Sequence, residues 1–174
     1  MPCRIASEVH LKRRILIVDD DLAVLLTLKA VLELHGFDVE TAGSSAEAVA
    51  RMESGVYQMV ISDLRMETEE AGLEVISAAR RQPYDPATAL LTAYPPSGKR
   101  WDGKYADEGH RDSAGEDGAG NDWAGENSGS LLIKPLGTGD LLRQVEALLI
   151  RHADKQLQQR NSASRAQEAR RRAG

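Results

Sequence analysis

An α/β architecture, a mainly parallel sheet with helices on both faces, is what this sequence predicts, on three observations. Short continuous apolar runs of strand length recur between stretches whose apolar residues are spaced three and four apart. Capping residues stand at the joints, Ser44 ahead of one helical stretch and Gly55 behind it, and Gly36 behind another. The strand-then-helix order repeats along the chain, and parallel strands joined by right-handed crossovers bury such a pattern best.

Taken in order, Ile15-Leu16-Ile17-Val18 is an apolar run bounded by charge, as a strand covered on both faces requires, and it ends in Asp19-Asp20-Asp21. Leu22 to His35 carries Leu22, Leu25, Leu26, Leu28, Val31 and Leu32 at helical spacing and stops at Gly36. Phe37 to Thr41 is a short second strand. Ser44 and Glu47 have capping-box spacing for a helix that runs to Ser54 and stops at Gly55. Met59 to Ser62 is the third strand, ending at Asp63; Leu73 to Arg81 is a helix; Ala89 to Thr92 and Leu131 to Ile133 are strands four and five. Thr138 or Asp140 caps a last helix bearing Leu141, Leu142, Val145, Leu148 and Leu149 on one side.

With 174 residues the chain suits one domain with some excess length, not two. No apolar run reaches the roughly 18 residues of a membrane span, and Met1-Pro2-Cys3-Arg4 lacks the layout of a secretory signal. A soluble cytoplasmic protein is expected. A single cysteine, Cys3, and four histidines without ligand-like spacing exclude a disulfide scaffold and a zinc finger. The segment 96–130 is rich in Gly, Asp, Glu and Ser and is expected to be an irregular insertion. A short helix over 99–108, anchored by Trp101, Tyr105 and Trp123, is the ordered alternative. Residues 151–174 hold seven Arg or Lys against two acids, which puts a +5 segment behind 150 residues that sum to −10. That stretch reads as a solvated helical tail. The expected organisation is a domain over 13–150, an extension over 1–12 and the tail over 151–174.

In parallel α/β sheets ligands gather beyond the carboxyl ends of the strands. Asp19 and Asp20, Asp63, Thr92 and Lys134 stand at four such ends. Each alone is an ordinary exit to solvent or an acid placed near a helix start. Together, at one end of successive strands, they describe a site.

The motifs ILIVDDD (Ile15 to Asp21), VISDLRM (Val60 to Met66), LLTAY (Leu90 to Tyr94) and LLIKP (Leu131 to Pro135) resemble those of the receiver domain of bacterial two-component response regulators. The resemblance covers about residues 13–150, less the Gly-rich segment, and is closest to stand-alone receivers of the chemotaxis type. It implies a doubly wound flavodoxin-like fold of five strands in the order 2-1-3-4-5. It also implies Asp63 as phosphoacceptor, Asp19 and Asp20 as the acidic pair that organises Mg²⁺, the Arg65 backbone carbonyl as a further metal ligand, Thr92 as the switch hydroxyl and Lys134 as the phosphate-contacting cation. A cis peptide before Pro135 belongs to the same pattern.

The chemistry agrees with those roles. Clustered carboxylates raise one another's pKa and make poor nucleophiles until a cation neutralises them. Mg²⁺ supplies that charge and takes carboxylate, carbonyl and phosphoryl oxygens. Asp63 would then attack an activated phosphorus in line, and the resulting acyl phosphate would draw the Thr92 hydroxyl inward. The implied partners are a sensor histidine kinase or phosphotransfer protein and a downstream protein target. No membrane contact is expected, and DNA is not.

Departures from the pattern concentrate in three places. Met66 is followed by Glu67-Thr68-Glu69-Glu70 where relatives have proline, giving a longer, more acidic loop. Leu131 stands where many relatives carry an aromatic switch residue, with Tyr94 a rim residue or a substitute. Forty-one residues separate Thr92 from Lys134, about twice the usual interval. A competing class is a Mg²⁺-dependent phosphohydrolase of the haloacid-dehalogenase type with Asp19 as nucleophile. Asp19-x-Asp21, Thr92 and Lys134 imitate its motifs, but Leu22-Ala23 depart from its pattern and Asp63 has no role in it. A third reading, DNA binding through the basic tail, would have little sequence specificity.

Overall fold

The computed structural model describes residues 12–68, 70–93, 130–134 and 137–172. The order is β1 (Arg14–Val18), α1 (Leu22–Leu34), β2 (Asp38–Ala42), α2 (Ser45–Ser54), β3 (Met59–Asp63), α3 (Ala71–Arg80), β4 (Ala87–Thr92), β5 (Ser130–Ile133) and α4 (Thr138–Arg172). The strands form one parallel sheet in the order β2-β1-β3-β4-β5. Its register places Val18 beside Ser62, Asp63 beside Leu91 and Thr92 beside Ile133. The carboxyl ends of β1, β3, β4 and β5 are thereby brought level at one edge of the sheet.

Alternation along each strand divides the core in two. Ile15 and Ile17 face Leu25 and Leu32 of α1 and Leu141, Val145, Leu148 and Leu149 of α4. Leu16 and Val18 face Ala48 and Met52 of α2 and Val75, Ala78 and Ala79 of α3. Each fully buried Leu or Ile contributes about 1.5–3 kcal/mol. Because β1 is covered on both sides, its sequence is uniformly apolar.

Local chemistry sets the helix ends. Asp21 caps α1, its Oδ1 accepting from Ala23 N at 2.8 Å and Val24 N at 3.4 Å. At the other end Gly36 takes a φ of 87°, and Phe37 N and Gly36 N donate to Leu32 O and Glu33 O at 3.2 and 3.0 Å. This is a Schellman closure, sealed by burial of Phe37 with Leu32 in one cluster. It holds Phe37 out of β2, so the strand starts at Asp38, one residue later than its apolar pattern suggests.

Strand β4 starts at Ala87, two residues ahead of the expected Ala89. Helix α3 starts at Ala71, ahead of Leu73, because the backbone turns as soon as Gly72 can pack against β3. The last helix and the stretch read as a helical tail are one element: α4 runs unbroken through Ile150 to Arg172, about 52 Å at 1.5 Å per residue. The Asp85 carbonyl, in the α3–β4 loop, accepts from His152 Nε2 at 2.7 Å and Gln156 Nε2 at 3.0 Å. The expected insertion over 96–129, its short helix, Tyr94, Pro135 and residues 1–11 lie outside the described residues. No helix among the described residues is long and apolar enough to cross a membrane.

Candidate functional site: a lysine-bridged pair of aspartates

Asp19 follows β1 directly and is 2% exposed. Its N–H donates to Ala42 O at 3.2 Å, and its Oδ1 accepts from Asp21 N at 2.9 Å, which turns the chain toward α1. The remaining oxygen, Oδ2, faces Lys134 Nζ at 2.8 Å. Asp63 ends the central strand, buried, with Oδ2 accepting from Arg65 N at 3.0 Å and Oδ1 2.9 Å from the same Lys134 Nζ. Lys134 reaches both because its own N–H donates to Thr92 O at 2.6 Å and fixes the exit of β5. Thr92 is the buried last residue of β4.

The structure therefore brings together Asp19, Asp63 and Lys134, with Thr92 on the adjacent strand end. Asp20, next along the chain from Asp19, makes no contact with Lys134 and is exposed at the same strand end. Asp21 is engaged as the α1 cap. The Arg65 side chain is exposed, while its backbone N–H orients Asp63.

Burial pushes the Asp63 carboxyl above the ordinary carboxylate range. The Lys134 ammonium opposes that rise, and the Asp19 charge adds to it. Burial alone would lower Lys134, but its hydrogen bonds to Asp19 and Asp63 and their negative charges outweigh burial and raise it. One cation thus serves two desolvated anions.

Among the described residues no three His, Cys, Asp or Glu side chains are grouped to hold a metal ion. The donor set still fits Mg²⁺ in kind. Two buried carboxylates, hard oxygen donors, converge on one cation within hydrogen-bond distance, and their mutual repulsion is what a divalent ion would relieve.

Two residues escaped the sequence reading. Gly72, in the first turn of α3, packs so closely that a Cβ there would come within 2.0 Å of Asp63 O and 2.7 Å of Leu64 Cα. Its N–H donates to Leu64 O at 3.2 Å, locking α3 onto the backbone that carries the phosphoacceptor candidate. The helical pattern read from the sequence begins only at Leu73, so a glycine directly ahead of it gave no signal beyond an ordinary loop residue. Glu67, read only as part of an acidic loop, bonds to the start of α2. No local pattern announces so distant a pairing.

The comparisons point one way. Residues 15–101, half of the chain, match the family described as the response regulator receiver domain. The acid tolerance regulatory protein ActR of Rhizobium meliloti is 39% identical over 82 residues, 47% of this chain and 42% of that protein. The transcriptional regulatory protein PrrA of Mycobacterium tuberculosis is 30% identical over 138 residues, 79% of this chain and 50% of PrrA. The chain thus spans half or less of the curated relatives' length. Among solved structures, the Vibrio cholerae chemotaxis protein CheY4 superposes with a TM-score of 0.61 at 24% identity, over 79% of this chain and 98% of that one. The response regulator TrrA of Thermotoga maritima, in complex with Mg²⁺ and BeF, gives 0.56 at 28% identity over 78% and 98%. None of this supports the haloacid-dehalogenase alternative, which also leaves the buried, hydrogen-bonded Asp63 idle. With its parallel sheet and its family match, the chain belongs to the response regulator receiver domains of two-component systems, a family of phosphoacceptor signalling domains.

Proposed function

We propose that this chain receives a phosphoryl group on Asp63 and, so modified, changes a surface read by a protein partner. The observation that carries the reading is the pair of contacts from Lys134 Nζ to Asp63 and Asp19, made where strands β1, β3 and β5 end. Asp63 Oδ1 faces the ammonium and Oδ2 faces the Arg65 N–H, so both carboxylate oxygens are aimed before any donor arrives.

In the transfer, a carboxylate oxygen of Asp63 forms a bond to phosphorus in line with the breaking bond. The donor's leaving atom departs with the electron pair. Lys134 compensates charge on the transferred oxygens, and Thr92, at the end of the neighbouring strand, supplies the hydroxyl that can turn toward the acyl phosphate. Asp19, Asp20, Asp63 and the Arg65 carbonyl would hold Mg²⁺, which supplies positive charge against the equatorial oxygens. Self-phosphorylation from small donors and autodephosphorylation are the only turnover this arrangement supports.

A sensor histidine kinase or phosphotransfer protein is the fitting donor, in the cytoplasm, and the output is contact with another protein. ActR and PrrA are named as regulators, PrrA as a transcriptional one, so the expectation against DNA carries less weight for a pathway of this kind.

Incubation with acetyl phosphate and Mg²⁺, followed by intact-mass measurement, tests the reading. One phosphoryl group should be gained by the wild-type chain, and none without Mg²⁺ or in Asp63→Ala. A gain that survives Asp63→Ala but vanishes in Asp19→Ala would contradict it.

A further inference from the structure

The loop between Asp63 and α3 holds Glu67 where receivers usually have proline. Its Oε1 accepts from the backbone N–H of Ser45 at 2.8 Å and lies 3.4 Å from the Ser45 hydroxyl. Ser45 is the first residue of α2, behind the Ser44 cap. Glu67 therefore satisfies one of the N–H groups a helix start leaves without an intrahelical acceptor, at the end where the dipole favours an anion. Ser44 Oγ takes Glu47 N at 3.2 Å, and the Glu47 carboxylate takes Gly43 N at 2.8 Å.

These bonds close a circuit around the site. Arg65 N donates to Asp63 Oδ2; two residues on, Glu67 holds Ser45; three residues before Ser45, Ala42 O accepts from Asp19 N; and Asp19 meets Asp63 again through Lys134. The segments after β1, β2 and β3 are tied together, and Glu67 supplies the tie between the second and third. Proline would stiffen this loop by fixing φ. Here a hydrogen bond to a helix start does so.

We propose that Glu67 is a positioning residue for phosphoryl transfer: by anchoring the β3–α3 loop to α2 it keeps the Arg65 N–H on Asp63 Oδ2 and so aims the attacking carboxylate. The inference rests on Asp63 being the phosphoacceptor. A role confined to capping α2 would lower stability and leave the transfer rate alone.

The test is the rate of Asp63 phosphorylation by acetyl phosphate at saturating Mg²⁺, read by intact mass. It compares wild type, Glu67→Ala, Glu67→Gln, Ser45→Pro and the Glu67→Ala/Ser45→Pro double variant. Ser45→Pro deletes only the donor side, at a helix position that accepts proline and after a residue, Ser44, already extended at φ −158° and ψ 162°. Glu67→Ala and Ser45→Pro should each slow transfer about five- to tenfold. The double variant should be no slower than either, Glu67→Gln should keep most of the rate, and hydrogen exchange at the Arg65 amide should quicken in Glu67→Ala. An unchanged rate in Glu67→Ala beside a lowered unfolding midpoint, or additive effects of the two substitutions, would overturn the proposal. A wild-type chain that gains no mass, or a gain that persists in Asp63→Ala, would instead contradict the phosphoacceptor assignment. Arg65 amide exchange would still report on the tie itself, and an unchanged exchange rate would overturn it.

Discussion

Lys134 Nζ stands 2.8 Å from Asp19 Oδ2 and 2.9 Å from Asp63 Oδ1, so a single ammonium bridges carboxylates from two different strand ends. Removing it leaves two buried anions facing each other. Lys134→Ala should destabilise the fold by about 3 kcal/mol at neutral pH, the scale for breaking a buried pair. Added Mg²⁺ should restore part of that loss by replacing the missing charge. In the wild type the folded pKa of Lys134 is raised, so its contribution is complete below the ordinary lysine range and is lost only as pH climbs above it. Urea unfolding of both chains with and without Mg²⁺ checks this; equal midpoints would count against the bridge.

Gly72 is a steric requirement of the strand that ends in Asp63. With a Cβ forced to within 2.0 Å of Asp63 O, Gly72→Ala must push α3 off the end of β3. The expected cost is about 2–3 kcal/mol, as for overpacking in a core, together with slower phosphoryl acceptance. Denaturant titration and the acetyl phosphate assay on one preparation measure both.

Glu40 is the acceptor at the centre of a second polar cluster, which fastens the edge strand β2. Its carboxylate takes the Tyr57 hydroxyl at 2.5 Å, Arg51 Nη1 at 3.3 Å and the Arg14 guanidinium, which also lies 5.0 Å from the Tyr57 ring centroid. The Tyr57 hydrogen bond, with help from the two arginines, holds Glu40 below the usual carboxylate range. A depressed folded pKa gives stability that is present above the unfolded value and lost as pH falls through the folded one. Tyr57→Phe should therefore cost about 1 kcal/mol at neutral pH. Its difference from wild type should shrink as pH falls below the ordinary glutamate range and through the depressed folded pKa of Glu40. Thermal midpoints of the two chains across pH 3 to 7 decide it.

Helix α4 outruns the domain it packs on. His152 and Gln156 still hold the Asp85 carbonyl, whose residue sits at a φ of 44°, whereas Leu157 is 55% exposed and the described side chains after it are exposed. Ending the chain after Gln156 should leave stability within about 0.5 kcal/mol of wild type. Ending it after Arg151 removes both hydrogen bonds and should cost about 2 kcal/mol. Chemical denaturation of the two truncations separates the anchored turns from the free ones.

The parts of this molecule legible in its sequence are those governed by local rules. Ile15 to Val18 read as a strand because burial on both faces leaves no place for polar side chains, and Gly36 marked a helix end because it alone tolerates the left-handed turn there. Asp19, Asp63 and Lys134 were legible as a group because parallel strands deliver their carboxyl ends to one edge. What the sequence withheld depends on distance. Ser45 and Glu67 lie twenty-two positions apart and meet only after two crossovers are in place. Gly72 looks like a loop residue ahead of the helix until Asp63 O is seen beneath it. The stretch after Ile150 was legible as a helical tail from its composition although apolar spacing ends there; polar helix formers and intrahelical pairs such as Glu168 with Arg172 carry α4 onward.

The central claim, that the carboxylate at the end of β3 receives the phosphoryl group, is tested most directly by locating the modification. The chain treated with acetyl phosphate and Mg²⁺ is reduced with borohydride, which converts an aspartyl phosphate to homoserine, and its peptides are mapped by mass. The account predicts homoserine at position 63 and intact aspartate at 19, 20 and 21. Homoserine at position 19 with Asp63 unchanged would contradict it.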